Sequence, residues 1–167
     1  MGIYKINNNS ILYSKIFVEE FIFTESPSTY NMNFNKNDVV SFQFMVNSSN
    51  VSRHGLRLKT SHVNGTRIEI SIDIDEKTGA PTLVKDRSSS RISPKLQKDI
   101  VILAGAFAMY SLDYLRKAYG YYSNIGYIPG DESFVICVKK ASENFNNLPK
   151  NEKDKYLRKS KSMMKIE

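Results

Sequence analysis

The sequence predicts an α+β domain: an N-terminal antiparallel β-meander of four or five strands, packed by a long central helix and followed by a helical, basic C-terminus. Three observations carry this expectation. The first half alternates apolar and polar residues with a period of two, between turn-forming stretches. After Ser93-Pro94 the pattern lengthens to a helical one, and Ile100 to Leu112 is apolar nearly all round. The net charge of +7 is concentrated late in the chain.

Taken in order, residues 11–23 (ILYSKIFVEEFIF) are rich in aromatic and β-branched types and read as β. DVVSFQFMVN sets Val40, Phe42, Phe44 and Val46 on one face and Val39, Ser41, Gln43 and Met45 on the other. GLRLKTS, the turn at VNGT and RIEISIDI form a hairpin, and DEKTGAP turns the chain into the short run TLVK. Ser93 is suited to cap a helix that Pro94 opens and Gly120 ends, giving a span from Pro94 to about Tyr119. Asp131 or Ser133 can cap a second helix, in which Phe134, Val138, Ala141 and Phe145 recur at helical spacing, although SFVICV also suits a strand. After Leu148-Pro149 a basic helix over roughly 150–164 carries a thin apolar stripe of Tyr156, Leu157, Met163 and Met164. Residues 1–148 are expected to form one domain, with 149–167 as its basic C-terminal helix or tail.

The hairpin register determines what its charged residues can do. Asn64-Gly65 suits a two-residue turn, but that register opposes Ser61, Lys59 and Arg57 to Ile68, Ile70 and Ile72. A three-residue loop, Val63-Asn64-Gly65, instead sets Leu56, Leu58 and Thr60 opposite Ile72, Ile70 and Ile68. On this register Glu69 faces Lys59, Asp73 faces Gly55 and Asp75 faces Arg53, so the outer face is nearly neutral. His54 and His62 then share the core-side parity of Leu56 and Leu58, about 26 Å apart along the strand, too far to share a metal or a scissile bond.

Composition narrows the function classes. The chain of 167 residues, 41% hydrophobic and 25% charged, is long enough to bury a core. Its single cysteine, Cys137, excludes an internal disulfide and a cysteine-based zinc site. The N-terminus shows no secretion signal and lacks the Ser/Thr of a myristoylation motif, so Asn-x-Ser/Thr matches at Asn8, Asn47, Asn50 and Asn64 read as products of a composition with 15 asparagines. The apolar run Ile100 to Leu112 is too short to span a bilayer. A cytoplasmic protein with no membrane contact, cofactor or metal is expected.

The charge points to a polyanionic partner. Residues 1–84 carry eight basic and eight acidic side chains, residues 85–98 carry five basic residues against Asp86, and residues 139–167 carry nine against four acids. In VKDRSSSRISPK, Arg87 and Arg91 bracket three serines just before a helix start, and guanidinium, hydroxyl and amide donors together suit phosphate oxygens. The segment lacks the glycines of a P-loop. Five tyrosines, Tyr114, Tyr119, Tyr121, Tyr122 and Tyr127, could stack bases, line a protein interface or close the core. The leading expectation is a non-enzymatic, nucleic-acid-binding protein of low sequence specificity, using Lys85, Arg87, Arg91, Lys95, Lys98, Tyr121, Tyr122, Lys155, Arg158 and Lys159. The alternative is a virus- or mobile-element-encoded interaction module that inhibits a nucleic-acid-processing or host-defence complex. A third reading, a metal-dependent nuclease built on Asp73, Asp75 and Lys77, has no full carboxylate constellation behind it.

Overall fold

The computed structural model describes residues 11–17, 38–47, 55–75, 77–84, 93–119 and 140–166. Five strands follow one another as a meander: β1 (Ile11–Phe17), β2 (Val39–Asn47), β3 (Gly55–Val63), β4 (Thr66–Ile74) and β5 (Pro81–Val84). The helix α1 spans Pro94–Tyr119, residues 140–146 belong to a second helix, α2, and α3 spans Lys150–Met163. The chain then returns to the sheet as β6 (Lys165–Ile166). The six strands lie in the order in which they occur, and every neighbouring pair is antiparallel except β5 and β6.

The C-terminal helix covers the expected span, and a short strand that the sequence did not announce, β6, follows it. Met164 leaves α3 in an extended conformation (φ −64°, ψ 135°), and the next two residues pair with Thr82 and Leu83. The physical reason is the exposed edge of β5. Its backbone donors and acceptors find no other partner on that side among the described residues, and a returning chain can satisfy them.

The core lies between one sheet face and the helices. Val40, Phe42, Ile70, Ile72, Ile74 and Leu83 are buried from the sheet, with Ile100 to Ala104, Ala106 to Ala108 and Leu112 from α1. Ala141 and Phe145 of α2 and Leu157 of α3 complete it, and the apolar run in α1 reports burial as expected. In β2, Val40 and Phe42 are buried as expected, but Ser41 between them is buried too, at 6% exposure. Phe134 and Val138 fall outside the described residues, as do residues 18–23 and Cys137.

The start of α1 follows the capping chemistry expected for it. The Leu96 amide donates to Ser93 Oγ (3.2 Å), and the first helical bond runs from the Gln97 amide to the Ser93 carbonyl (3.0 Å). Further along, Gly105 lets three elements meet. A Cβ there would stand 2.5 Å from Pro81 Cγ and would collide with Ser160 Oγ. Ser160 in turn donates to the Ile102 carbonyl (2.8 Å), a buried bond between α3 and α1.

The hairpin departs from its expected register. Asn64 and Gly65 have φ of 51° and 84°, as a two-residue type I′ turn demands, and His62 pairs with Arg67, Ser61 with Ile68 and Thr60 with Glu69. A register shift follows, with Ile70 and Ser71 set against the single residue Lys59, and beyond it Leu58 opposes Ile72 and Leu56 opposes Ile74. The polar–apolar mismatch is therefore cured within the strands and not in the loop. The turn can remain short because Asn64 is held from outside the hairpin. Its Oδ1 accepts from the Val39 amide (2.8 Å), its Nδ2 donates to Asp38 Oδ1 (2.8 Å), and its own amide donates to the Val39 carbonyl (2.8 Å).

The charge pairing is corrected with the register. Glu69 forms an ion pair with Arg67 of its own strand (3.4 Å) and lies opposite Thr60 in place of Lys59, and Asp73 lies opposite Arg57. Asp75 closes the β4–β5 turn, its Oδ1 accepting from the amides of Lys77 (2.8 Å) and Thr78 (2.9 Å). Partial burial raises the carboxyl pKa, but these amide bonds outweigh it and hold the group below its ordinary range. Arg53 and His54 lie outside the described residues.

Candidate functional site

The direction in which the helices pack decides which basic residues meet. Gly79 approaches Met109, Pro81 approaches Gly105, and Arg116 Nη2 donates to the Lys77 carbonyl (2.8 Å). α1 thus runs antiparallel to β5. Ser160 reaches Ile102, whereas Tyr156 donates to Asp113 Oδ2 (2.8 Å), so α3 also runs antiparallel to α1. The start of α1, the end of α3, β6 and the C-terminal end of β5 consequently share one end of the molecule.

That end is cationic. Lys95 and Lys98 are exposed on α1, and Lys159, Lys161 and Lys165 are exposed on α3 and β6. Ser160 lies against Ile102 and Gly105, so at about 1.5 Å of rise per residue Lys161 stands about 5–9 Å from Lys98 along the α1 axis, with packed helix axes about 8–10 Å apart. Asp99, next to Lys98 in sequence, is buried at 3% exposure, and it and Lys161 each have an interaction partner. Like charges gathered this way repel one another and favour a polyanion that neutralises them.

The remaining candidates separate from this group. Lys155 lies level with Tyr110, roughly 15–20 Å from Lys98 along the helices, and forms an ion pair with Glu152 (3.3 Å). Arg158 is half-buried near the Asp154 carboxyl. Lys85, Arg87, Arg91, Tyr121 and Tyr122 lie outside the described residues, but the positions flanking the arginine segment, Val84 and Ser93, both belong to the cationic end. Lys161 and Lys165 were not singled out in the sequence. Their charge was counted in the C-terminal excess, yet nothing in the pattern told which part of α1 they would reach.

The opposite end of α1 is aromatic and closed. Tyr110 stacks edge-on against Phe145 (5.7 Å) and Tyr156 (5.5 Å), and Tyr114 lies against Tyr110 at 6.3 Å. Of the five tyrosines, Tyr114 therefore closes the core. Burial and the hydrogen bond to Asp113 push the Tyr156 hydroxyl pKa far up, and Asp113 also contacts Arg116 (3.6 Å).

Among the described residues no three His, Cys, Asp or Glu residues gather as a metal would require, and no helix is long and apolar enough to cross a membrane. Fold and site together define an α+β protein with, among the described residues, a sheet of six strands, helices packed on one face and a polycationic end. Compared with known proteins, the chain matches no family model, no curated protein and no solved structure.

Proposed function

We propose that this protein binds nucleic acid, with little regard to sequence, through its cationic end. The supporting observation is the antiparallel packing of α3 on α1, which sets Lys161 and Lys165 beside Lys95 and Lys98. Ammonium groups on flexible stems are point charges, suited to phosphate oxygens and unable to read base edges bidentately. Arg87 and Arg91, which lie in sequence between Val84 and Ser93 and outside the described residues, are the guanidinium candidates of the same reading. The reading is one of binding and not of catalysis, in a cytoplasmic setting.

Four phosphate contacts on duplex DNA imply a log–log salt slope of about −3.6, or about a 10²-fold loss of affinity between about 50 and 200 mM salt. The test is an anisotropy titration with single- and double-stranded DNA and RNA at both concentrations. Lys98→Gln with Lys161→Gln should lower the slope by about 1.8. Binding that ignores salt, or no binding at low salt, overturns the proposal. A stoichiometric complex with an acidic protein, in place of naked nucleic acid, would favour the inhibitor reading.

A further inference from the structure

At the cationic end, β6 is held by little besides its backbone. It consists of Lys165 and Ile166, which pair with Thr82 and Leu83 of β5. Both side chains are exposed, Ile166 by 51%. Two paired residues that bury so little apolar surface stand at the low end of local stability. The helix before them is held firmly. Leu157 and Ser160 are fully buried, Ser160 donates to the Ile102 carbonyl (2.8 Å), and Tyr156 donates to Asp113 Oδ2 (2.8 Å). Met164, extended and half-buried, joins the two. Opening can therefore be confined to residues 164–166 while α3 stays docked.

Charge opposes the pairing. Pro81 and Leu83 of β5 are buried toward the helices, so Thr82 between them, and Lys165 paired with it, take the other side of the sheet. The closed strand thus carries the cationic end around the sheet edge and brings Lys165 toward the exposed Lys95, Lys98 and Lys159. Lys161, also at this end, and the buried Asp99 have interaction partners of their own. At about 15 Å in water with about 10 mM salt, each like pair disfavours the closed strand by about 1.3-fold, and the three together by about twofold. At about 1 M salt the Debye length is about 3 Å and the effect vanishes.

Resting on the nucleic-acid reading above, we propose that residues 164–166 form an electrostatic clasp, closed on the β5 edge by the nucleic acid bound at the cationic end. Lys165 is the phosphate contact that the closed state adds. A ligand shifts such an equilibrium only by its differential affinity for the two states, and one phosphate contact at about 0.1 M salt corresponds to about eightfold. The coupling is reciprocal, so a strand that closes without this charge leaves binding weaker by the same factor.

The experiment is hydrogen–deuterium exchange on the full chain, read at residues 164–166 and 81–84, with the buried residues 100–108 of α1 as reference. Exchange at 164–166 should slow about twofold between about 10 mM and about 1 M salt. It should slow about eightfold when a short DNA duplex saturates the protein at about 0.1 M salt, with 100–108 unchanged in both cases. Lys165→Gln keeps the exposed strand without its charge. It should lose both responses and bind the duplex about eightfold more weakly by anisotropy. Exchange in β6 that ignores either salt or the bound duplex, equal slowing in α1, or responses that persist in Lys165→Gln would each overturn the clasp. In those cases salt-dependent binding at the other lysines still stands. Absence of duplex binding at low salt removes the parent reading, and the clasp with it.

Discussion

Gly105→Ala adds a single methyl group where α1, α3 and β5 meet, and two effects of opposite sign compete there. Alanine in a helix interior is favoured over glycine by about 1 kcal/mol. Against this, the new Cβ would stand 2.5 and 2.7 Å from Pro81 Cγ and Cδ and would collide with Ser160 Oγ. Overpacking of this kind costs about 1–3 kcal/mol. Moving Ser160 away also breaks its buried bond to the Ile102 carbonyl, at about 1–3 kcal/mol for the groups left unsatisfied. Steric cost wins, and the expected net destabilisation is about 2–4 kcal/mol. For a chain of this size that lowers Tm by about 5–15 °C in a thermal melt followed by circular dichroism. Adding Ser160→Ala should restore part of the loss, since one of the colliding groups is gone. A Gly105→Ala protein that melts at or above the unmodified protein would refute the three-element contact, and with it the argument that holds Lys161 beside Lys98.

Two further predictions concern stability. Asn64→Ala removes two side-chain hydrogen bonds and places alanine at φ 51°, so it should cost about 2–3 kcal/mol by urea unfolding, whereas Asn64→Gly should keep the turn and lose only the bonds. If both variants cost the same, the left-handed conformation contributes nothing. Asp154 of α3 is buried at 4% exposure, with Oδ1 lacking a partner among the described residues. Burial raises its carboxyl pKa, an effect that Lys150 and Arg158 offset only in part. A native pKa above the unfolded value means that the folded state binds the proton more tightly. This group therefore costs stability at neutral pH, and the cost fades as pH falls through its native pKa. Asp154→Asn should be more stable by about 1 kcal/mol near neutral pH. The advantage should shrink towards about pH 4, near the ordinary carboxyl pKa, and a gain independent of pH would contradict the assignment to this carboxyl.

The strands of the meander and both ends of α1 were legible because each has a local cause. Val40 and Phe42 of β2 are buried in the core, and the Ser93 side chain accepts from one of the first orphan amides of α1. The hairpin register was not legible. The sequence carries the turn signal and the apolar pattern, but not the irregularity at Lys59 that reconciles them, and a single inserted position changes the face of every later residue. That is why His62 was expected to share the parity of the core residues and instead pairs with Arg67. The site was half legible for a related reason. Charge excess can be counted along a chain, whereas the meeting of Lys98 with Lys161 depends on the antiparallel packing of two helices distant in sequence. Neither β6 nor the partner of Ser160 leaves a local trace.

The parallel pairing of β5 with β6 also fixes an order of events during folding. The β2–β3–β4 ribbon joins neighbours in sequence and can form early, at small loop-closure cost. Thr82 and Lys165 stand 83 residues apart in sequence, so their pairing is far costlier in loop closure unless α1 and α3 are already docked. The meander is therefore expected to form ahead of the charged end, and a nascent chain would carry its sheet before its last lysines arrive to complete the surface.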